Sequence, residues 1–308
     1  MSKYRNPGVV DRSVVTDYVT KAGYQVESLE QLWRHVTGRL ERKGRPYFLK
    51  VATSESIGEL TSVEPDWYRQ VSTRLTPDIP LEVPVVAEEG TLKMPDGTSR
   101  YFYISSFAAG PQLATKYPPK VRNLGSWIDR IAQSVVFLQG LEGIQVKGKS
   151  LTPAKEKIEG YEKKFHEWAE ESGVDFSDLL KIARELRQTY EPAFNHGDFV
   201  PWHMLEADER FVLIDAEHAS ISKPKYYDVA YFYHRVYTAA MSPDLAKAFL
   251  RAVSDQLPKP ERNAFMRKLR PVLAGRVIGG YGDSKQGDRT DVSFHDALRQ
   301  DVVRNDLL

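Results

Sequence analysis

The chain has 308 residues, with 43 basic and 42 acidic side chains, a net charge of +1 and no cysteine. Disulfides, thiolate zinc sites and cysteine nucleophiles are excluded, and balanced charge without a basic stripe argues against a nucleic-acid partner. No stretch nears the roughly 20 apolar residues that span a bilayer, and "MSKYRNPGVVDRSVV" lacks a signal peptide's apolar core, so a cytoplasmic protein with no membrane partner is expected.

The first third reads as strand-rich. "GYQVESLEQLWRHVTGRL" alternates loosely, and "RPYFLKVA" is a short apolar run after a turn signal. In "SIGELTSVEPDWYRQVSTRL", Leu60, Val63, Trp67, Val71 and Leu75 follow helical spacing, with Pro65 marking a first turn or a break. "LEVPVVAEEGTL" and "SRYFYISSFAAG" read as two strands joined by a turn at Pro95 to Gly97.

Beyond Gly110 the pattern turns helical. "NLGSWIDRIAQSVVFLQGLEG" carries an apolar stripe and ends near Gly140. The charge-rich run from Lys155 to Glu171 reads as a solvated helix face, and "FSDLLKIARELRQTY" as a helix capped by Ser177. After the strand-like "FVLID", helices are expected through "SPDLAKAFLRAVSDQL" and "ERNAFMRKLRPVLAGRVI", with His234 and the aromatics from Tyr231 to Tyr237 as helix core. "GGYGDSKQGDRTD" reads as a linker before a last short helix. A small sheet with one helix, followed by a larger helical region, argues for two lobes with a ligand cleft between them.

The chemistry concentrates in "FNHGDFVPWHMLEADERFVLIDAEHAS", residues 194–220. Asp198 sits in a turn shaped by Gly197 and Pro201, and Asp215 closes the strand "FVLID" seventeen residues later. Two acids brought together by a hairpin-like return repel, and a divalent cation or a substrate proton relieves that. One acid orienting a hydroxyl while the other holds magnesium suits phosphoryl transfer.

"HGDFVPWHML", "VLIDAEHA" and "KYYDVAYF" together resemble the aminoglycoside phosphotransferase and choline kinase family of the protein-kinase-like fold. The resemblance extends from about Tyr24 to Tyr237. It implies an α+β, bilobal fold, with a nucleotide-binding lobe over residues 1–107 and a catalytic, acceptor-binding lobe over 108–308. It implies ATP and Mg2+ as cofactors and transfer of the terminal phosphate to a hydroxyl of a small molecule. Asp198 is then the catalytic acid that accepts the hydroxyl proton, and His196 helps to fix its loop. Asp215 is the principal magnesium ligand, Glu217 lies beside the metal, and Asp228 braces the catalytic loop. Lys50 in "YFLKVA" contacts nucleotide phosphates. Glu64 is its favoured partner, with Asp66 and Glu59 as rivals, and Ser106, Phe107 and Ala108 offer backbone hydrogen bonds to the adenine.

Two positions depart from the family pattern. His203 stands where the family has asparagine, and imidazole suits transition metals better than magnesium. The segment "SLEQLWRH", expected over the phosphates, lacks the glycines that allow close backbone approach. These departures leave open a nucleotide-binding pseudokinase without turnover. A further reading is a metal-dependent hydrolase using His196, Asp198, His203, Asp215 and His218, although it leaves Lys50 without a role. The basic run "RNAFMRKLR" argues mildly against a polycationic acceptor, and nothing in the sequence sets the oligomeric state.

Overall fold

Alternation in the first third resolves into hairpins. In the computed structural model, which describes residues 7–116, 120–148, 152–285 and 291–308, strands β1 (Gln25–Leu32), β2 (His35–Arg42) and β3 (Arg45–Ala52) follow a first helix α1 (Arg12–Lys21). Helices α2 (Glu55–Thr61) and α3 (Val63–Ser72) and strands β5 (Val86–Lys93) and β6 (Ser99–Ser106) complete this lobe, while the short β4 (Leu81–Glu82) pairs in parallel with Phe211 and Val212 of the second lobe. The sheet is antiparallel throughout, in the order β1-β2-β3-β6-β5. The loose alternation of β1 has a cause: its register shifts between Val26 and Ser28, a bulge that puts the pattern out of step.

Two local readings are refined here. Helix α1, absent from the sequence reading, starts at Asp11, whose carboxylate accepts the Ser13 N–H at 2.9 Å. The single helix expected over residues 56–75 is two helices meeting at Ser62, and Pro65 sits in the first turn of the second, where a missing N–H costs nothing.

The second lobe is mainly helical. It runs through β7 (Ala114–Thr115), β8 (Lys120–Val121), α4 (Leu124–Gln139), α5 (Ala154–Ser172), α6 (Ser177–Ala183), α7 (Leu186–Thr189) and β9 (Pro192–Asn195). Then come the hairpin β10 (Met204–Ala207) and β11 (Arg210–Leu213), β12 (Ser220–Pro224), α8 (Tyr227–Thr238), α9 (Pro243–Gln256), α10 (Lys259–Lys285) and α11 (Val292–Arg304). This is the bilobal α+β architecture of the protein-kinase-like fold. Each lobe buries its own apolar cluster, with Val36, Leu49, Val51 and Ile104 under the sheet and Leu179, Phe232, Phe249 and Leu269 among the helices. Trp67 and Tyr68 of α3 pack into the helical cluster, so α3 ties the sheet to the second lobe.

Three expectations about the second lobe need correction. Ser177 is the first residue of α6 and makes no capping bond; Asp175 instead accepts its backbone N–H at 2.9 Å. The glycine-bearing stretch is not a linker up to residue 285, because Gly279, Gly280 and Gly282 continue α10; residues 286–290 lie outside the described residues. Glycine acts there as a packing residue. A Cβ at Gly275 would fall 2.2 Å from the Phe165 ring, and one at Gly279 would fall 2.9 Å from Trp168. Side-chain-free backbone lets α5 lie close, a gain that outweighs the propensity cost of roughly 1 kcal/mol per glycine. For the same reason α5 is not wholly a solvated face: Phe165 is buried, and Tyr161 and Trp168 are partly so. His234 is in the helix core as expected.

Candidate active site

Strand periodicity places Lys50. Leu49 and Val51 point into the core of the sheet lobe, so Lys50 between them faces the opposite way, towards α3 and the second lobe. Its Nζ lies 2.8 Å from Glu64 Oε2 and 2.7 Å from Asp215 Oδ1, and both Lys50 and Glu64 are buried. Glu64 is therefore the partner, not Asp66 or Glu59. Asp66 instead accepts from Gln70 and from the Lys147 N–H. Burial by itself would lower the Lys50 ammonium's pKa, but Asp215, Glu64 and Glu217 raise it well above its usual range and keep it charged. The opposite holds for Asp215: burial would raise its carboxyl, while Lys50 and His203 hold it well below the ordinary value.

The backbone at Asp215 has φ +67°, a strained conformation for a residue with a side chain. Helix α3 fixes it there. The Asp215 N–H donates to both Glu64 Oε1 and Tyr68 Oη, each at 3.0 Å, and the Tyr68 hydroxyl donates to Glu64 Oε1. Glu64 thus holds the lysine with one oxygen and the Asp215 backbone with the other.

The loop before β10 is equally well specified. Buried Asp228, in the first turn of α8, accepts the backbone N–H groups of His196 at 2.6 Å and Gly197 at 2.8 Å. Gly197 has φ +88°, and a Cβ there would lie 2.1 Å from the His218 carbonyl oxygen, so no other residue fits. The buried His196 ring bridges the loop: Nε2 donates to the Ile214 carbonyl at 3.1 Å while Nδ1 accepts the Asp198 N–H. Burial pushes its pKa down to about 3, so it stays neutral and serves as a strut. Asp198 is thereby aimed into the space beside Asp215, and the hairpin β10–β11 returns the chain from one acid to the other as expected.

His203 joins the two acids. Its Nδ1 lies 3.0 Å from the Asp198 carbonyl oxygen and its Nε2 3.4 Å from Asp215 Oδ2. Donor atoms of Asp198, His203 and Asp215 all lie within 4.8 Å of one another. His196 and His218 fall outside this group, so among the described residues the five-residue cluster of the hydrolase reading does not assemble.

Glu217 is buried and takes the Arg34 guanidinium at 2.5 Å, yet its Oε2 has no hydrogen-bond partner. His35 lies 3.6 Å from that oxygen, but burial and the nearby Lys50 push its pKa down to about 2, so it brings no charge. Four carboxylates, Glu64, Asp198, Asp215 and Glu217, thus face two fixed cations, Lys50 and Arg34. A surplus of negative charge next to a carboxylate oxygen that has no hydrogen-bond partner and only the Lys50 ammonium, at 3.7 Å, as a nearby charge fits a divalent cation. Arg34 was not foreseen. It occupies the glycine-free β1–β2 turn and stacks on exposed Trp33 while reaching across to Glu217 of the other lobe.

Two cavities meet at Glu217. One, of about 430 Å³, lies between the sheet and the β10–β11 hairpin and is lined by Lys50, Phe48, Tyr103, Leu205 and Ile214. Ser106, Phe107 and Ala108 also line it, but two of their N–H groups are already used: Ser106 donates to Val85 and Phe107 to Pro46. Ala108 keeps a backbone N–H without a partner among the described residues. The second cavity, of about 470 Å³, lies between α5, α8 and α10, and Asp198 is part of its lining.

Comparison with known proteins agrees with this fold. The model of the phosphotransferase enzyme family matches residues 27–265. Among curated proteins no sequence matches the chain. Aminoglycoside phosphotransferase APH(4)-Ia is similar in structure, with a TM-score of 0.65 and 17% identity over 96% of this chain and 99% of that one. A GDP complex of an aminoglycoside 2'-phosphotransferase-IIIa mutant gives a TM-score of 0.61 and 17% identity over 96% and 97%. A ternary complex of a thermostable APH(4)-Ia mutant with ADP and hygromycin B gives 0.58 and 17% over 95% and 98%. No described helix is long and apolar enough to cross a membrane.

Proposed function

Because the chain belongs to the phosphotransferase enzyme family, we propose that it is an ATP-dependent small-molecule kinase with Asp198 as catalytic base. The observation that carries this reading is the position of Lys50, 2.8 Å from Glu64, 2.7 Å from Asp215 and 3.7 Å from Glu217, the residue at which the two cavities meet. A lysine held between acids of both lobes is positioned for phosphate oxygens, and the solved relatives were captured with GDP or ADP. The boundary between the lobes is placed after Phe107, giving 1–107 and 108–308.

In this mechanism the nucleotide occupies the cavity under the sheet, with Ala108 N–H available to the base. The acceptor hydroxyl enters the second cavity beside Asp198. Its oxygen bonds to the terminal phosphorus as the bond to the leaving ADP breaks, and its proton passes to Asp198. Burial alone would raise the Asp198 carboxyl, but His203 and His218 hold it below its usual value, so it is ionised and ready to accept. Asp215, His203 and Glu217 would hold Mg2+, which supplies charge neutralisation on the phosphates. Catalysis by this chain's residues is then a matter of position: Asp228 and His196 fix the loop, and Glu64 and Tyr68 fix Asp215.

Asp198→Ala tests the assignment. ATP-dependent turnover should fall about 10²- to 10⁴-fold while stabilisation by magnesium-ATP persists. Undiminished turnover would remove Asp198 from the role. His203 in place of asparagine favours one other reading, a nucleotide-binding protein without turnover. Binding of magnesium-ATP with no consumption across a broad hydroxyl screen would support it.

A further inference from the structure

The walls of the second cavity carry a charge pattern that the phosphotransfer chemistry does not need. Its acids are Asp198 and Glu217, and Glu217 is already paired with Arg34. The rest of the wall presents Lys164 from α5, Lys223 from β12 and Arg276 from α10. None of these three has a carboxylate within ion-pair distance among the described residues.

Arg276 is the most telling. It is only 8% exposed, and its Nε has no hydrogen-bond partner. The guanidinium lies over the Tyr231 ring at 4.3 Å and 6.0 Å from the Trp168 ring. Lys164 and Lys223 likewise lie over Trp168 and Tyr227, at 4.7 and 4.3 Å. Ring faces soften the burial of a cation but do not replace a counter-ion. Tyr227 reports the field: burial alone would raise its phenol, yet Lys223, Arg276 and Lys164 bring it below its ordinary value. Lys223 spends two donors on the Gly197 and His218 carbonyls, which fixes its position without a carboxylate in direct contact.

We infer that the acceptor is a hydroxyl-bearing organic anion, a carboxylate or phosphate, whose charge docks at Arg276, Lys164 and Lys223 while its apolar body lies against Trp168, Tyr227 and Tyr231. This rests on the kinase reading for the cavity's role as acceptor site. A polycation is disfavoured at this wall by like-charge repulsion. The solved relatives named for aminoglycosides share the fold, and the wall of this chain's cavity selects the opposite charge.

The test uses charge-matched pairs on the full-length protein: 3-phenyllactate against 3-phenyllactamide, and glucose 6-phosphate against glucose, with hygromycin B as polycation. ATP consumption and thermal stabilisation are both read, in wild type, Arg276→Gln and Lys164→Gln. The anionic member of at least one pair should bind or react with an apparent constant at least about ten-fold lower than its neutral partner, and the pair that responds tells carboxylate from phosphate. That advantage should vanish in Arg276→Gln and shrink in Lys164→Gln, a surface change that spares the fold. Preference for the neutral or polycationic compounds, no discrimination in either readout, or an advantage that survives in both variants would overturn the inference. Stabilisation by magnesium-ATP, measured alongside, shows that the variants fold. Its absence in wild type would sink the kinase reading, whereas the anion readout by thermal shift stands apart from it.

Discussion

Replacing Lys50 by methionine keeps the side-chain stem and removes the ammonium that lies 2.8 Å from Glu64 and 2.7 Å from Asp215. Glu64 is 2% exposed, so the variant leaves a carboxylate buried beside Asp215 and Glu217 with its direct counter-ion gone. Breaking a buried pair in this way costs about 3–5 kcal/mol, a large part of the roughly 5–15 kcal/mol that holds a domain folded. Burial already raises the Glu64 carboxyl, so proton uptake provides an escape. With its folded pKa above the unfolded one, Glu64 in the variant favours folding at low pH and loses that contribution as pH rises through the folded value. The Lys50→Met defect should therefore be larger at pH 7.5 than at pH 5.5. Glu64→Gln removes the stranded charge, so the double variant should be more stable than the sum of the single effects by about 1–3 kcal/mol. Urea unfolding of the four proteins, followed by tryptophan emission, measures the cycle. A Lys50→Met protein within about 0.5 kcal/mol of wild type, or strict additivity in the double variant, would refute the account of a buried lysine shared between two lobes.

Three further outcomes follow from the site and its support. Asp228→Asn leaves one amide oxygen for two N–H donors and turns an NH2 towards the other, so we expect a loss of about 2–4 kcal/mol and faster hydrogen exchange at the His196 and Gly197 amides; unchanged exchange at both would contradict the bracing role. His234 is buried with neither ring nitrogen hydrogen-bonded, and burial holds its pKa well below the ordinary imidazole value, so its contribution is present above the unfolded pKa and is lost as pH falls below it. His234→Phe should accordingly gain stability relative to wild type on going from pH 7.5 to 5.5, and equal shifts in urea midpoint at the two values would count against it. His203→Asn exchanges an imidazole nitrogen for an amide oxygen beside Asp215, and the ratio of magnesium- to manganese-supported turnover should rise about ten-fold; a constant ratio would place His203 outside the metal's reach.

Local pattern determined much of this protein. The apolar run around Lys50, the turn residues flanking Asp198 and the acid closing "FVLID" are properties of short segments, and with the order of strands and helices they pointed to two lobes and to the pair Asp198 and Asp215. Asp228 was legible only through the resemblance of "KYYDVAYF" to the family's motif. Tertiary structure decided what short segments do not encode. Glu64, not Asp66 or Glu59, meets Lys50 because helix α3 breaks from α2 at Ser62 and turns that one acid inward. Gly279 and Gly280 extend a helix because aromatic and imidazole rings from α5 and α8 occupy the space where their side chains would stand. Arg34 and Arg276 carried no signal in the chain, since a cation's role depends on what lies opposite it. Glu217 faces Arg34 from 183 residues away, and Arg276 has aromatic rings where a counter-ion would be expected.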